Sequence, residues 1–176
     1  FKMNTINAQG VTTSHQWDAI SYLLGFRYLS EQETTYILEY YRNGTGLSQD
    51  QFEDFVTFVD NSYTTYQNSG NKSGLIRASN LAEMVYGKPN PMGHYLYFRA
   101  SQKEPFDILY FTPALTSTIN LQDGSLVLIP ELAYSPITNL ELRFRTPVLI
   151  GKHGAEYREK QNHFRIVLRI RYYFDF

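Results

Sequence analysis

The chain of 176 residues is long enough for one domain with a sizeable core, and a net charge of −1 gives no long-range field to draw nucleic acid or an acidic partner. The absence of cysteine excludes a disulfide framework, thiolate chemistry and cysteine-bound metal. No run approaches the ~20 apolar residues of a membrane-spanning helix, whereas a membrane barrel needs only ~10 alternating residues per strand. Aromatics reach 16%, with 15 Tyr and 12 Phe against one Trp, a balance that suits rings with one apolar and one wet end.

From the N-terminus, residues 1–8 alternate briefly, Phe1 and Met3 opposite Lys2 and Asn4, and offer an optional eighth strand. Seven longer alternating segments follow, separated by turn signals. Residues 17–28 set Ile20, Tyr22, Leu24, Phe26 and Tyr28 against Ser21, Gly25 and Arg27. Residues 34–42 set Tyr36, Leu38 and Tyr40 against Thr35, Glu39 and Tyr41. The connection 43–93 carries its own structure. Ser48-Gln49-Asp50-Gln51 fits a capping box, and Phe52, Phe55, Val56 and Val59 keep helical spacing, which predicts a helix over 49–63. A second helix over 74–86 presents Leu75, Leu81, Met84 and Val85, and ends at Gly87 and Pro89-Asn90-Pro91.

Residues 94–102 set Leu96, Phe98 and Ala100 against Tyr95, Tyr97, Arg99 and Ser101. Residues 107–120 oppose Leu109, Phe111, Leu115 and Ile119 to Tyr110, Thr112, Thr116 and Thr118. Residues 125–134 oppose Leu126, Leu128, Leu132 and Tyr134 to Val127, Ile129 and Glu131. Residues 139–150 oppose Leu140, Leu142, Phe144, Val148 and Ile150 to Glu141, Arg143 and Arg145. Pro113, Pro130 and Pro147 fall inside these segments, where each removes a ladder hydrogen bond and calls for a bulge or a break.

The last segment, 163–176, alternates throughout. Phe164, Ile166, Leu168, Ile170, Tyr172, Phe174 and Phe176 share one face, and the other carries Arg165, Arg169 and Arg171. This long strand with an aromatic last residue resembles the closing strand of bacterial outer-membrane β-barrels. The resemblance implies that these seven residues serve as an assembly signal read by the barrel-assembly machinery. It implies an all-β fold: an antiparallel transmembrane β-barrel of seven or eight strands spanning 1–176, in the bacterial outer membrane and against its lipid. The 43–93 connection becomes a long extracellular loop carrying two short helices. With the C-terminus inside, the inner connections 29–33, 103–106 and 135–138 are all short, and two of the three outer ones, 43–93 and 151–161, are long, as in such barrels. Seven is an odd count, and the chain opens on Phe1-Lys2, so it reads as the C-terminal part of a larger barrel completed by an N-terminal part or another chain.

The polar faces collect Arg27, Glu39, Arg99, Glu131, Glu141, Arg143, Arg145, Arg165, Arg169, Arg171 and Asp175, and none of the six lysines. Arginine stays charged and binds carboxylates through two parallel hydrogen bonds, which suits a crowded interior. All but the last of these residues are the candidate lumen lining. A soluble lipocalin-like barrel or sandwich would put the apolar face inward, but an arginine ladder facing water is less expected. The expected function is a porin-like channel for small solutes with a leaning toward anions. The alternative is a non-conducting barrel serving as anchor, scaffold or surface-binding module. His15, His94, His153 and His163 show no metal-ligand spacing, although His15, His94 and His163 fall toward the outer rim. No catalytic cluster or phosphate-cradling glycine motif is legible, so neither enzymatic activity nor a cofactor is expected.

Overall fold

The computed structural model describes residues 1–174, with Val85 lacking a described side chain; Asp175 and Phe176, which close the expected terminal strand, lie outside the described residues. The chain begins with a separate antiparallel hairpin, β1 (Lys2–Ile6) and β2 (Thr12–Gln16). The optional eighth strand is therefore a strand, but it pairs with β2 instead of joining the large sheet. Burial decides its place, because Met3 and Ile6 are sunk into the main apolar cluster of the molecule.

The large sheet is an antiparallel meander of β3 (Tyr22–Leu29), β4 (Thr34–Arg42), β5 (His94–Gln102), β6 (Phe111–Asn120), β7 (Leu126–Ile137) and β8 (Leu140–Arg145). β9 (Val148–Ile150) also pairs with β7, and β10 (Val167–Tyr172) pairs with β8. The registers keep apolar residues opposite apolar residues: Leu38 faces Phe98, Leu96 faces Ile119, Leu132 faces Phe144, and Phe144 faces Leu168. The sheet is not closed. Among the described residues β3 and β10 each have one unpaired edge, so the expected closed barrel is not completed within the chain.

Local chemistry accounts for the boundaries that differ from expectation. The segment expected from 107 becomes a strand only at Phe111, because Phe106, Asp107 and Tyr110 adopt positive φ in a tight turn. The first strand of the sheet starts at Tyr22, five residues late, since Trp17 leaves the strand direction to donate its indole N–H to the Gly44 carbonyl at 2.9 Å. The segment 139–150 breaks at Thr146-Pro147 into β8 and β9, which lie in succession along β7. Pro130 sits opposite that break, where its carbonyl accepts from the Thr146 amide at 3.1 Å. Pro113 lies one residue beyond the last β5–β6 pair, Ser101 with Ala114. Each proline thus has a flank without a partner strand to receive its missing N–H. Residues 163–166 extend β10 irregularly, through Leu149 N–H to the His163 carbonyl and a bridge between Val148 and Phe164.

The insertion between β4 and β5 holds α1 (Gln49–Ser69), α2 (Ser73–Leu81) and a π-turn over Ala82–Tyr86. The capping box forms: Ser48 Oγ accepts from the Gln51 amide, and the Gln51 side chain accepts from the Ser48 amide at 2.9 Å. α1 runs past Tyr63 to Ser69, and in these added turns Thr64, Thr65 and Ser69 donate their hydroxyls to carbonyls one turn earlier. It stops at Gly70, whose φ of 72° suits glycine.

Phe52, Phe55, Val56 and Phe58 pack with Met3, Ile6, Ala78, Tyr86, Leu47, Met92 and Tyr95 into the main buried cluster. The core thus lies at one end of the sheet. Tyr41 and Tyr95, the last residues of the polar face there, stack and belong to this packing, so the insertion folds over that face's end. Its base is tight, since a β-carbon on Gly46 would collide with the Met92 carbonyl oxygen. Gly46→Ala is expected to separate the two ends of the insertion, costing on the order of 1–3 kcal/mol. Limited proteolysis should then cut within 43–93 much faster than in the parent protein.

Candidate functional site

Parity assigns the charges of the sheet, apart from Arg42 at the end of β4, to one face, and the registers bring two groups of them together. Glu131 on β7 lies between strands that supply arginines. It takes Arg99 of β5 at 3.4 Å and the Arg145 Nε of β8 at 3.0 Å, while Arg99 also donates to Thr116 Oγ1 at 2.8 Å. Glu141 on β8 holds Arg143 at 3.1 Å, Arg169 at 3.1 Å and Arg171 at 3.7 Å. Arg171 also donates to the Tyr173 hydroxyl at 3.0 Å, and that hydroxyl lies 3.4 Å from Glu141. The face is more shielded than its reverse: Glu131 is 8% exposed, whereas the next residue, Leu132, is 44% exposed.

Seven of the ten expected lining residues therefore meet around the two glutamates. The other three stand apart. Arg27 pairs across strands with Ile37, and Arg165 donates its amide to the Pro147 carbonyl. Glu39 lines a depression of about 350 Å³ with Tyr41, Tyr95 and Tyr97, closed on one side by Asn90 of the insertion. Thr116 and Tyr173 complete the charge networks without having been singled out as lining, although both share the parity of the charges.

The opposite face is apolar apart from Ser117 and polar strand-end residues such as Arg42 and His94, and among the described residues no layer is packed upon it. Leu24 and Phe26 on β3 are 63% and 65% exposed, and Leu168 and Ile170 on β10 are 65% and 64% exposed. Of the expected assembly residues, Leu168, Ile170 and Tyr172 lie in β10, Phe164 is bridged to Val148, and Ile166 and Phe174 flank the strand, all exposed. Phe176 lies outside the described residues.

A further polar centre sits where the insertion meets the sheet and had no signature beyond the i,i+4 spacing of Glu156 and Lys160. Glu156 opens the short α3 (Glu156–Glu159) and is 1% exposed. Its carboxylate accepts from the Tyr95 hydroxyl at 2.6 Å, Asn120 Nδ2 at 3.0 Å and Lys160 Nζ at 2.8 Å. Lys160 also donates to the Pro89 carbonyl at 3.0 Å, tying the insertion to α3. Burial pushes the Glu156 carboxyl above its ordinary range, a displacement that Lys160 and the Tyr95 hydroxyl only partly oppose.

The histidines are engaged separately: His15 with Thr5, His94 with Tyr40 and Arg42, and His153 with Asp60 and Glu159. Among the described residues no three His, Cys, Asp or Glu side chains gather as a metal site. No family model, curated protein or solved structure matches the chain.

Glu131→Gln keeps the side-chain shape and removes the charge that Arg99 and Arg145 share. Because both arginines are partly exposed, the expected loss is on the order of 1–2 kcal/mol, read as a lower midpoint for thermal loss of the folded form. Glu156 has a different pH signature. Its folded-state pKa is raised, so its contribution to stability is present below the ordinary carboxyl value of 4.5 and fades as pH rises through the raised value. Thermal unfolding followed upward from pH 4.5 should show this decline in the parent protein and a flatter profile in Glu156→Gln.

Proposed function

We propose that this sheet is part of the wall of a bacterial outer-membrane β-barrel, and that the barrel works as a porin-like channel for small solutes with a preference for anions. The observation that carries this reading is the pairing of two faces: an apolar face, with large side chains exposed on β3, β4, β6, β7, β8 and β10, backed by a face of arginines and glutamates. In water, so large an apolar surface would be expected to find a cover. In a bilayer the lipid supplies it, and the ladder hydrogen bonds keep the backbone satisfied at that depth.

The face with the arginines then lines the interior. Seven arginines stand against Glu39, Glu131 and Glu141 on the described part of this wall, a surplus that favours anions. The insertion sits at one mouth, and 163–174 acts as the closing strand presented to the barrel-assembly machinery. The open edges of β3 and β10 are completed by further strands, from an N-terminal part or another chain, because an unpaired edge in hydrocarbon costs several kcal/mol per group.

The two glutamate-centred networks favour a second reading. Five arginines are tied down, and in a narrow barrel such pairs would fill the interior and leave a non-conducting anchor or surface-binding module. Planar-bilayer recording decides between the two. The channel reading expects anion-preferring conductance, shifted toward cations in the double variant Arg165→Glu, Arg169→Glu. Absent conductance from a protein that is heat-modifiable on gels leaves the anchor. A protein that is monodisperse without detergent would sink the membrane reading itself.

A further inference from the structure

The group around Glu141 has a composition that mutual neutralisation does not explain. Three guanidinium groups converge on one carboxylate, which leaves two positive charges without a counter-charge there. The register sharpens the imbalance. Arg143 and Arg169 are direct cross-strand partners, an arrangement in which like charges oppose folding. The Nε of Arg143 is buried and has no hydrogen-bond partner, a costly state for a donor on a charged group. On its other side Arg143 faces Ala133, and Ala133 faces Thr112, so two short side chains flank the cluster on the same face.

We infer that Arg143, Arg169 and Arg171 form a binding site for a doubly charged tetrahedral oxyanion of the phosphate or sulfate class, which competes with Glu141 for their donors. An anion of that charge matches the local surplus and relieves the Arg143–Arg169 opposition. Its several acceptor oxygens suit the forked donors of guanidinium, each taking two parallel hydrogen bonds, which a halide cannot reproduce. Specificity for oxyanions over chloride therefore comes from donor geometry and adds to any preference set by net charge. The site rests on the reading of this face as a solute-accessible interior, and it names the solute class.

Isothermal titration of the full chain in detergent micelles tests it, with inorganic phosphate, sulfate, glycerol phosphate and chloride as probes. Phosphate and sulfate should bind saturably and more tightly than chloride. Arg143→Gln and Arg169→Gln should each weaken phosphate by about tenfold, the equivalent of one lost charged hydrogen bond. Glu141→Gln should strengthen phosphate binding, because it removes the competing carboxylate, while Lys72→Gln in the insertion should leave it unchanged. Glycerol phosphate bound as tightly as free phosphate would mark the occupant as an ester; weaker binding would mark it as the free ion.

Absence of saturable phosphate binding to heat-modifiable protein overturns the site. So does weaker binding in Glu141→Gln, or equal affinity for chloride. Binding in micelles needs no conductance. A protein that binds phosphate but carries no current keeps the site and loses the channel, and one that conducts without binding phosphate does the reverse.

Discussion

Apart from Arg42 at the end of β4, charged side chains in the strands of this sheet occupy one parity, and the ion pairs they make cross strand boundaries. Glu131 links β5 to β8 over the two strands between them, and Glu141 links β8 to β10. A one-residue slip between any two of these strands would carry an arginine to the apolar face and a leucine among the charges. The pairs therefore fix register in a sheet whose other face, among the described residues, has no packed layer to do so. Backbone pairing sets how the strands lie, and the charges decide which of the possible alignments is adopted.

The same division explains where the buried core went. Strands that keep their apolar face uncovered cannot supply a conventional interior, so the apolar burial of the chain is concentrated at one end. There α1, the π-turn, the β1–β2 hairpin and the strand-end residue Tyr95 come together. A sheet end is also where backbone carbonyls and amides run out of partners. The insertion answers that need with specific polar contacts: Asn43 N–H to the Gly93 carbonyl, Leu47 N–H to the Pro91 carbonyl, and Glu156 beneath Tyr95 and Asn120. A buried carboxyl with an upward-shifted pKa stands at the join between insertion and sheet, so the grip of one on the other depends on proton concentration.

Period-two alternation located the segments of the large sheet, with β8 and β9 run together as one, and the Ser48–Gln51 capping box located the start of α1, because these patterns express local geometry directly. Boundaries were harder wherever tertiary contact or turn geometry overrode the pattern. Trp17 opens its alternating segment yet turns aside to meet Gly44, and Asp107, a charge on the apolar parity at the end of its segment, takes a positive φ before the strand begins. The lining residues were legible as a parity class, but which glutamate holds which arginine depends on strand register, a long-range property. Glu156 gave no warning. Its burial arises from a loop folding back on three separate segments, and no spacing within 151–161 records that.

In the proposed barrel, closure is the step on which the interior's character turns. Strand number sets the radius of a barrel, and radius sets whether facing side chains meet across the middle. On this wall the arginines already find their carboxylates sideways, along the sheet, so neutralisation does not need an opposite wall close at hand. A narrow barrel would bring a second wall against guanidinium groups already in surplus, and that wall would have to be acidic. A wide one leaves the surplus facing water, where screening over about 8 Å makes it tolerable. The excess charge around Glu141 thus favours the wider enclosure in the proposed barrel. In the proposed barrel, the strands that would complete β3 and β10 decide whether this wall surrounds a passage or a filled interior.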